Sequence, residues 1–320
     1  MIMPPKGLYA VNKKNTLCQF RNFLKAITFF IFTRNYANMQ SPPMKSVLIT
    51  GCSCGIGLCV AQGLKQAGYR VFASARQEKD VEMLKAQGFE ALHLDLSSSK
   101  SINMAIDAVF KKTNTLYGLI HNGAYGQVGA LEDISRQVLE AQFQTNVFGW
   151  HELTNLVLPK MKQYNEGRII YLSSVLGFVA MPFRGAYNAS KFAIEGLANT
   201  LRLELSKTQV QLSLIQPGPI ESKFRTNAYK AFSKHIEMEN SDYRANYQKM
   251  IVRLQSKELA DFTLGAEAVL KCCLHALSAK QAKIHYRVTF PTKLFAVLIR
   301  LLPTWLMDKA LNKAGGGGER

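Results

Sequence analysis

The sequence predicts a doubly wound α/β fold in which one parallel sheet of seven strands carries helices on both faces. From Lys45 onward, short apolar or β-branched runs alternate with longer stretches of helical period, an order typical of βαβ units. The sequence contains no internal repeat of roughly 20–50 residues that would indicate a solenoid or propeller. With 320 residues, 48% of them hydrophobic, the chain can bury the core of one large domain.

The predicted elements follow one another in regular order. The strands are predicted at residues 46–50, 70–75, 90–94, 116–121, 168–172, 211–216 and 283–288. The helices are predicted at residues 57–66, 79–87, 100–112, 136–164, 185–207 and 265–277. Each helix is long enough to cross one face of the sheet. We therefore predict a single domain over residues 44–290.

Residues 1–43 differ in composition from the rest of the chain, because they hold six Lys and Arg residues and no Asp or Glu. Their apolar run at 26–33 is far shorter than the ~20 residues of a membrane-spanning helix. We expect a basic, poorly ordered extension. A targeting segment is one alternative, and an upstream start before a physiological Met44 is another.

Two further segments lie outside the alternation of predicted strands and helices. The polar, charged stretch 221–262 follows a strand, where this fold places ligand-facing loops, so we expect a mobile substrate lid. The segment 291–320 predicts an apolar C-terminal helix, which Pro303 should kink or interrupt, and a flexible end. The helix packs on its own domain or a second subunit, or else it lies on a membrane surface beside Lys293 and Arg300.

The charge and the cysteine content restrict the class of protein. The 40 Lys and Arg residues against 22 Asp and Glu give a net charge of +18, which favours a phosphorylated cofactor, nucleic acid or an anionic membrane as partner. Zinc-finger spacing, a basic zipper and an RNA-recognition motif are absent from the sequence, so we predict neither nucleic-acid binding nor a metal site. Six cysteines are few for a disulfide framework and indicate a reducing, intracellular compartment.

A glycine-rich turn joins the first predicted strand to the first predicted helix. Gly51, Gly55 and Gly57 would let the backbone turn tightly and approach a pyrophosphate, whose charge would meet amide groups and the helix dipole. The spacing differs from Gly-x-Gly-x-x-Gly, so the turn alone is a weak indication of nucleotide binding. The residues between the glycines that we expect at the cofactor are Ser53, Cys54 and Ile56.

Arg76 follows the second predicted strand, at the position where a dinucleotide-binding fold contacts the adenosine ribose. An acidic residue there would bind the ribose 2′-OH, whereas an arginine can pair with a 2′-phosphate. Arg76 therefore favours NADP(H) over NAD(H). The alternative is an ordinary solvated arginine at the start of a helix.

Four polar side chains are candidates for catalysis. Tyr187 and Lys191 share one face of a predicted helix, and the cation is expected to lower the pKa of the Tyr187 hydroxyl towards the range of a general acid or base. Ser174 ends a predicted strand, where its hydroxyl could stabilise negative charge on a carbonyl oxygen. Ser173 competes for this role, because alternation lets only one of the two face the site. Asn146 could orient a water molecule or a backbone group within its long helix.

The glycine turn, Arg76 and the four polar candidates follow one another in an order that resembles the short-chain dehydrogenase/reductase family. The resemblance covers about residues 45–288, and members of this family have a Rossmann fold. The catalytic tetrad that the resemblance implies is Asn146, Ser174, Tyr187 and Lys191. The cofactor contacts that it implies beyond the glycine turn and Arg76 are Asp95, Leu96, Asn122, Gly123, Tyr187, Lys191, Pro217, Gly218 and Ile220.

The chain departs from the family pattern at two places. The Asn-Ala-Gly turn of the family stands here as Asn122-Gly123-Ala124, preceded by His121 where Asn is common, which is expected to alter the turn without removing the site. Cys54 replaces a residue that is often Ser or basic near the adenosine 2′ position, which leaves Arg76 as the main indication of NADP(H). Within the family, the chain is most similar to bacterial NADP-dependent aldehyde reductases and to steroid and retinol dehydrogenases.

The resemblance implies hydride transfer between NADP(H) and an aldehyde, a ketone or the corresponding alcohol. A membrane-associated dehydrogenase of the steroid or retinol type is one alternative, and a non-catalytic NADP-binding regulatory protein is another. We expect a homodimer or homotetramer in the cytoplasm, with peripheral contact at the inner membrane surface as a further option.

Overall fold

The computed structural model describes residues 44–256 and 258–315, so the extension predicted at 1–43 lies outside the described residues. Seven parallel strands form one sheet in the spatial order β3-β2-β1-β4-β5-β6-β7, which confirms the predicted fold class. The strands are β1 (Ser46–Ile49), β2 (Arg70–Ala75), β3 (Glu90–His93), β4 (Gly118–His121), β5 (Gly167–Leu172), β6 (Val210–Gln216) and β7 (His285–Arg287). The chain order reverses between β1 and β4, and a ligand crevice is expected beyond the carboxyl ends of these strands.

Eleven α-helices lie within the described residues and connect or follow the strands. They are α1 (Gly55–Gln66), α2 (Glu78–Ala86), α3 (Ser99–Phe110), α4 (Arg136–Phe143), α5 (Gly149–Gln163), α6 (Gly185–Glu204), α7 (Phe224–His235), α8 (Arg244–Gln255), α9 (Glu267–Ser278), α10 (Phe290–Leu301) and α11 (Thr304–Gly315). Side-chain alternation along β1 divides the core in two. Val47 and Ile49 pack with α1, α2 and α9, whereas Leu48 packs with α3, α5 and α6.

The helix predicted at 136–164 is divided by a π-helical turn at Gln144–Phe148, between α4 and α5. Such a turn inserts one residue into a helix and is frequent at functional sites. Here it contains Asn146, whose buried side chain bonds to neighbouring segments. The predicted helix is therefore present, with a local change of period at a predicted site residue.

The segment predicted as a lid, 221–262, contains two helices, α7 and α8, that were not predicted from the sequence. The two helices share a small hydrophobic cluster that includes the buried Phe232, Tyr247 and Met250. The Tyr247 hydroxyl accepts a hydrogen bond from the Ala130 amide at 2.8 Å and donates one to Asp133. The segment is thus packed against the loop after β4, while its mobility stays a prediction.

The C-terminal segment forms α10 and α11, and Pro303 lies between them, as predicted. Their inner faces pack on residues 175–181 next to the candidate active site, with Phe295 and Met307 in the same cluster as Tyr187. None of the helices in the described part of the chain is both long enough and apolar enough to span a membrane.

Candidate active site

The glycine turn between β1 and α1 has the conformation that its sequence predicts. Gly51 and Gly55 have φ values of 71° and 57°, a region that L side chains rarely adopt. A Cβ atom on Gly57 would stand 2.2 Å from the Gly51 carbonyl oxygen. Any larger residue at position 57 would therefore displace the turn, so these glycines hold the backbone close to the start of α1.

The start of α1 has the features of an anion site. Among the described residues, no side chain caps the first turn at Cys54, and this turn contains no acidic residue. Its amide groups, with the positive end of the helix dipole, are suited to a pyrophosphate. Ser53 and Cys54 are half-buried in the turn, and Ile56 packs against the core beneath it. The turn thus fits the dinucleotide that the sequence predicts.

The turn after β4 is fastened to the glycine turn through Thr50. The Thr50 hydroxyl accepts hydrogen bonds from the Asn122 and Gly123 amides, both at 2.9 Å. The Asn122 side chain donates in return to the carbonyl oxygens of Thr50 at 2.9 Å and Gly51 at 2.8 Å. The exchanged small residues of this turn therefore leave it closely bonded to the predicted cofactor site.

The residues predicted at the adenosine end lie at the carboxyl ends of β2 and β3. Arg76 is exposed directly after β2, and its charge acts on the hydroxyl of Tyr125, whose pKa is raised by burial and lowered in part by Arg76. Asp95 accepts hydrogen bonds from the Ser97 amide and hydroxyl, at 2.9 and 2.7 Å, and so shapes its own loop. Leu96 is buried beside the glycine turn, where its side chain approaches Gly123.

Tyr187 and Ser174 come together at the end of β5. The Ser174 hydroxyl is close enough to the Tyr187 hydroxyl to lower the pKa of Tyr187, although burial has the larger effect and raises this pKa above its usual value. Ser173 points elsewhere, because its hydroxyl lies against Gly177 and Glu195. The structure therefore places Ser174 rather than Ser173 beside the candidate acid.

Lys191 is buried on the same face of α6, with 2% of its surface exposed. Its ammonium group donates to the Leu172 carbonyl oxygen at 2.7 Å and lies 5.6 Å from the centre of the Tyr187 ring. Burial lowers the pKa of Lys191 to about 7, and attraction to Glu195 opposes this shift. The expected lowering of the Tyr187 pKa by Lys191 is not found, because burial has the largest effect on the pKa of each group.

Asn146 reaches two neighbouring segments from the π-helical turn. Its amide nitrogen donates to the Tyr125 carbonyl oxygen at 2.9 Å and to the Ser190 hydroxyl at 3.1 Å, and its oxygen accepts from the Tyr125 amide at 3.2 Å. Ser190 directly precedes Lys191 in α6. Asn146 therefore ties the loop after β4 to the helix that carries Tyr187 and Lys191.

The turn after β6 completes the rim of the site. The Pro217 carbonyl oxygen accepts a hydrogen bond from the Val175 amide at 2.8 Å, which joins this turn to the residue after Ser174. A Cβ atom on Gly218 would lie 2.2 Å from the Thr289 hydroxyl oxygen, so a side chain does not fit there. Ile220 forms a parallel bridge to Leu264 and packs against the core of the α1 face.

Three buried side chains near Lys191 were not identified from the sequence. The Trp150 ring lies beneath the Lys191 ammonium, and the Trp150 indole N–H donates to the Gly123 carbonyl oxygen at 2.8 Å. Glu195 accepts from the Gln216 side chain at 2.9 Å, and burial raises the pKa of its carboxyl group. His121 stacks on Trp150, and burial lowers its pKa to about 3, so it is neutral. Glu195 had a sequence signal, because it lies four residues after Lys191 in one helix. His121 had one as a departure from the family pattern before the β4 turn, and Trp150 had none.

Comparison with known proteins decides the family. The model for short chain dehydrogenases matches residues 45–232, which is more than half of the chain. The chain belongs to the short-chain dehydrogenase family. It is 43% identical over 269 residues to the uncharacterized oxidoreductase YbbO of Escherichia coli K12, covering 84% of this chain and 94% of that protein. It is 30% identical over 279 residues to rat 17-beta-hydroxysteroid dehydrogenase type 6, covering 82% of this chain and 86% of that one.

The fold agrees with solved structures of the same family. A short-chain dehydrogenase/reductase from Burkholderia phymatum in complex with NAD superposes with a TM-score of 0.66 at 24% identity, covering 82% of this chain and 96% of that one. At this identity the likeness shows the fold. The family resemblance predicted from the sequence is thereby confirmed for this short-chain dehydrogenase, while its substrate and its cofactor preference remain predictions.

Proposed function

We propose that this short-chain dehydrogenase interconverts an aldehyde or ketone with the corresponding alcohol and uses NADP(H). The single observation that carries the proposal is that the Ser174 hydroxyl lies beside the Tyr187 hydroxyl and lowers its pKa, with the Lys191 ammonium 5.6 Å from the centre of the Tyr187 ring. A proton donor, an oxyanion ligand and a cation thus meet at the carboxyl end of β5. This arrangement suits addition to a carbonyl group and its reversal.

The residues of the glycine turn fit a dinucleotide cofactor, since the turn leaves no space for side chains and the amides at the start of α1 are suited to a pyrophosphate. When bound, a nicotinamide cofactor supplies or accepts the hydride. Asn122 and Gly123 would hold the cofactor side of the β4 turn, and Pro217, Gly218 and Ile220 would border the nicotinamide. Asp95 and Leu96 would face the adenine.

In the reductive direction, the Tyr187 hydroxyl donates a proton to the carbonyl oxygen, and in the oxidative direction it takes that proton back. Ser174 donates a hydrogen bond to the same oxygen and orients the substrate. Lys191 would hold the nicotinamide ribose of a bound cofactor, and its positive charge favours the loss of the Tyr187 proton. Asn146 holds α6 in register through its hydrogen bond to Ser190.

Replacing Tyr187 by Phe tests this assignment. The variant keeps the ring in its cluster and removes the hydroxyl group, so we expect turnover to fall by about 1,000-fold. Binding of NADP(H), followed by fluorescence titration, should stay within about twofold of the wild type. Full turnover in this variant would show that Tyr187 is not the acid. If no aldehyde, ketone, steroid or retinoid in a panel is turned over by the wild type, the proposed reaction fails.

The preference for NADP(H) rests on Arg76, which is exposed at the carboxyl end of β2 where a 2′-phosphate would lie. Replacing Arg76 by Asp should lower kcat/KM for NADPH by at least about 100-fold and improve use of NADH. Equal use of NADPH and NADH by the wild type would contradict this preference. The control is Arg136→Asp, at an exposed arginine that pairs with Glu140 on α4.

A second candidate function adds a membrane surface to the same chemistry. Phe290, Leu294, Val297 and Leu301 form an exposed apolar stripe along α10, at the spacing of one helix face. Residues 290–315 carry four Lys and Arg residues and one Asp, which matches an anionic lipid surface. A second copy of this chain would bring an equal positive charge to the stripe. We therefore propose peripheral contact with anionic lipid, at the cytoplasmic side of a membrane.

Vesicle sedimentation tests this surface. The chain should bind vesicles with anionic lipid more strongly than vesicles of neutral lipid, and Leu301→Asp should reduce binding by at least about tenfold. The matched control is Leu203→Asp, because Leu203 is similarly exposed on α6, at 62% against 72% for Leu301. Equal binding by Leu301→Asp and the control would rule out the stripe as the lipid contact.

A further inference from the structure

A cavity beside Tyr187 is bordered on its solvent side by a side chain of the lid. Tyr187 itself is only 9% exposed, so a substrate has to enter this cavity to reach its hydroxyl. The lining comes from the loop after β4, the start of α6 and the lid helices α7 and α8. Among the described residues that line the cavity, Phe224 alone is exposed, at 39%. The Phe224 ring therefore lies between the cavity and the solvent.

The Phe224 ring packs on the ring of Tyr187. The two ring centres are 5.2 Å apart, and the ring planes are inclined by 58°. A tilted aromatic pair at this separation is a favourable but weak contact. It shields the ring that carries the proposed proton donor, so a substrate bound at that hydroxyl would compete with Phe224 for the same space.

Phe224 also reaches Gly126, in the loop after β4. A Cβ atom at position 126 would lie 2.5 Å from the Cζ atom of Phe224 and 3.2 and 3.3 Å from two further atoms of the ring. The lack of a side chain at Gly126 therefore leaves room for the ring in this position. Phe224 thus contacts two walls of the cavity, the loop after β4 and the start of α6.

An anchoring role for Phe224 in the lid is the structural alternative. Phe224, Ala228 and Phe232 recur at intervals of four residues and share one face of α7. Ala228 and Phe232 are 1% and 3% exposed and belong to the hydrophobic cluster that joins α7 to α8. Phe224 is the first residue of α7, in a turn that no described side chain caps. The two inner residues therefore anchor the helix, and its first turn can change position without unpacking the lid.

The other apolar residues of the lining are less able to move. Val128, Met250 and Leu254 are buried in the same cluster as the inner face of α7. Displacement of any of them would expose apolar surface in the core of the lid, which is unfavourable. Displacement of Phe224 exposes more of one ring that is already partly exposed. The easiest way to widen the cavity is therefore to move Phe224.

We infer that Phe224 is the gate of the substrate cavity. A substrate reaches Tyr187 by displacing the Phe224 ring, and the size of residue 224 limits the bulk that a substrate can carry next to its reacting carbon. This inference rests on the proposed oxidoreductase function. Phe224 thereby determines specificity, whereas Tyr187 and Ser174 act on the substrate oxygen.

Two isomers, 1-naphthaldehyde and 2-naphthaldehyde, test the limit on bulk. They have the same composition and one aldehyde group, but the second ring lies beside the reacting carbon in the 1-isomer and away from it in the 2-isomer. We expect the ratio of kcat/KM for the 1-isomer to that for the 2-isomer to rise by about tenfold in Phe224→Ala. It should rise less in Phe224→Leu and fall in Phe224→Trp. Chromatography of the alcohol products, with NADPH in excess, gives the rates.

The ratio within one variant does not depend on the amount of folded enzyme, so a loss of stability cannot imitate the result. The matched control is Phe262→Ala. Phe262 is exposed in the same lid segment, and its ring lies 5.2 Å from that of Phe290. Its ratio should stay within about twofold of the wild type. An unchanged ratio in both Phe224→Ala and Phe224→Leu, or an equal rise in the control, would overturn the inference.

The displacement of the ring has its own measurement, which involves no turnover. Phe224→Trp places an indole at the gate, and NADPH with benzyl alcohol cannot react because both are reduced. Above the product-inhibition constant of benzyl alcohol, the tryptophan emission of Phe224→Trp should move to longer wavelength, because the indole leaves Tyr187 for water. The emission of the wild type, from Trp150 and Trp305, should not move. An unchanged wavelength in Phe224→Trp at saturation would overturn the displacement.

The same rates separate this inference from the proposed function. If the wild type reduces both naphthaldehydes and the ratio does not respond to residue 224, the oxidoreductase activity stands and the gate fails. If the wild type excludes 1-naphthaldehyde altogether, its reduction by Phe224→Ala is the expected result. If neither isomer nor any other carbonyl compound of the panel oxidises NADPH with any of these proteins, the proposed function fails and the gate fails with it.

Discussion

The ammonium group of Lys191 lies 4.4 Å from the centre of the Trp150 indole ring. A cation held over an aromatic ring away from water gains about 2 kcal/mol, which offsets part of the cost of its burial. The Leu172 carbonyl oxygen accepts a hydrogen bond from the same group. Two neutral partners therefore position Lys191 at the carboxyl end of β5, and Glu195 is the nearby acid that favours its charged form.

The first prediction concerns cofactor affinity and pH. The pKa of Lys191 is lowered to about 7, so the ammonium form is present below this value and is lost as the pH rises through it. Since the proposed contact with the cofactor ribose uses that charge, affinity for NADP(H) should fall as the pH rises through about 7. Glu195→Gln removes an attraction that raises the pKa of Lys191, so the midpoint should move to lower pH by up to about one unit.

Fluorescence titration of NADP⁺ at a series of pH values measures this midpoint for the wild type and for Glu195→Gln. Glu204→Gln serves as the control, because Glu204 is exposed near the end of the same helix and its replacement should leave the midpoint unchanged. Identical midpoints for all three proteins would show that Glu195 does not set the protonation of Lys191. Any titration of the cofactor itself is the same for all three proteins, so it does not contribute to the difference between their midpoints.

The sheet could be predicted from the sequence, because the spacing of apolar residues and the amino-acid composition of each strand and helix are local properties of the chain. It did not identify α7 and α8, although Tyr247, Met250 and Leu254 recur at helical spacing and could have indicated α8. The π-helical turn at Asn146 depends on bonds to Tyr125 and Ser190, which are distant in sequence, so no local pattern could predict it.

The candidate site, like the fold, could be predicted only where it depends on local spacing. Register along the chain placed Tyr187, Ser174 and Lys191 together correctly, since helix face and strand end are set by spacing. The lowered pKa of Lys191 and the cluster of Arg184 with Arg225 arise from burial and from elements that meet only in the folded chain. The burial and the neighbours of a charged residue, which set its pKa, are known only once the fold is known.

The second prediction separates the two adjacent serines. Ser174→Ala removes the hydroxyl that lies beside Tyr187 and is proposed to bind the substrate oxygen, so kcat should fall by about 100-fold. Ser173→Ala should change kcat by less than about threefold, because that hydroxyl lies against Gly177 and Glu195. Steady-state rates with one aldehyde and NADPH provide the comparison. A larger loss for Ser173→Ala than for Ser174→Ala would reverse the assignment.

The third prediction compares two helical glycines. A Cβ atom on Gly149 would stand 1.9 Å from the Leu96 carbonyl oxygen, a backbone atom that cannot rotate away, so Gly149→Ala should lower the free energy of unfolding by at least about 2 kcal/mol. A Cβ atom on Gly196 meets no described atom within 4 Å, so Gly196→Ala should be neutral or should stabilise the helix by about 0.5–1 kcal/mol. Urea unfolding measures both. Equal effects would show that α5 does not approach Leu96 closely.

The fourth prediction concerns stability in acid. His121 is fully buried and contacts the rings of both Trp150 and Tyr171, and burial lowers its pKa from 6.5 to about 3. As the pH falls below 6.5, His121 takes up a proton in the unfolded chain but not in the folded chain, so the free energy of unfolding decreases on acidification. Above pH 6.5 His121 is neutral in both states and causes no such loss. The slope from this group alone is about 1.4 kcal/mol per pH unit.

His121→Asn replaces this group by an amide that does not titrate, so the acid-dependent loss should be smaller in the variant by roughly this slope over the weakly acid range. The change with pH is the test, because loss of the ring stack lowers stability at every pH. His151→Asn is the control, since His151 is exposed on α5 and bonds only locally to Asn155 within the described contacts. Urea unfolding of the three proteins at several pH values gives the slopes. Parallel slopes for His121→Asn and the wild type would mean that His121 takes up its proton equally in the folded and unfolded chains.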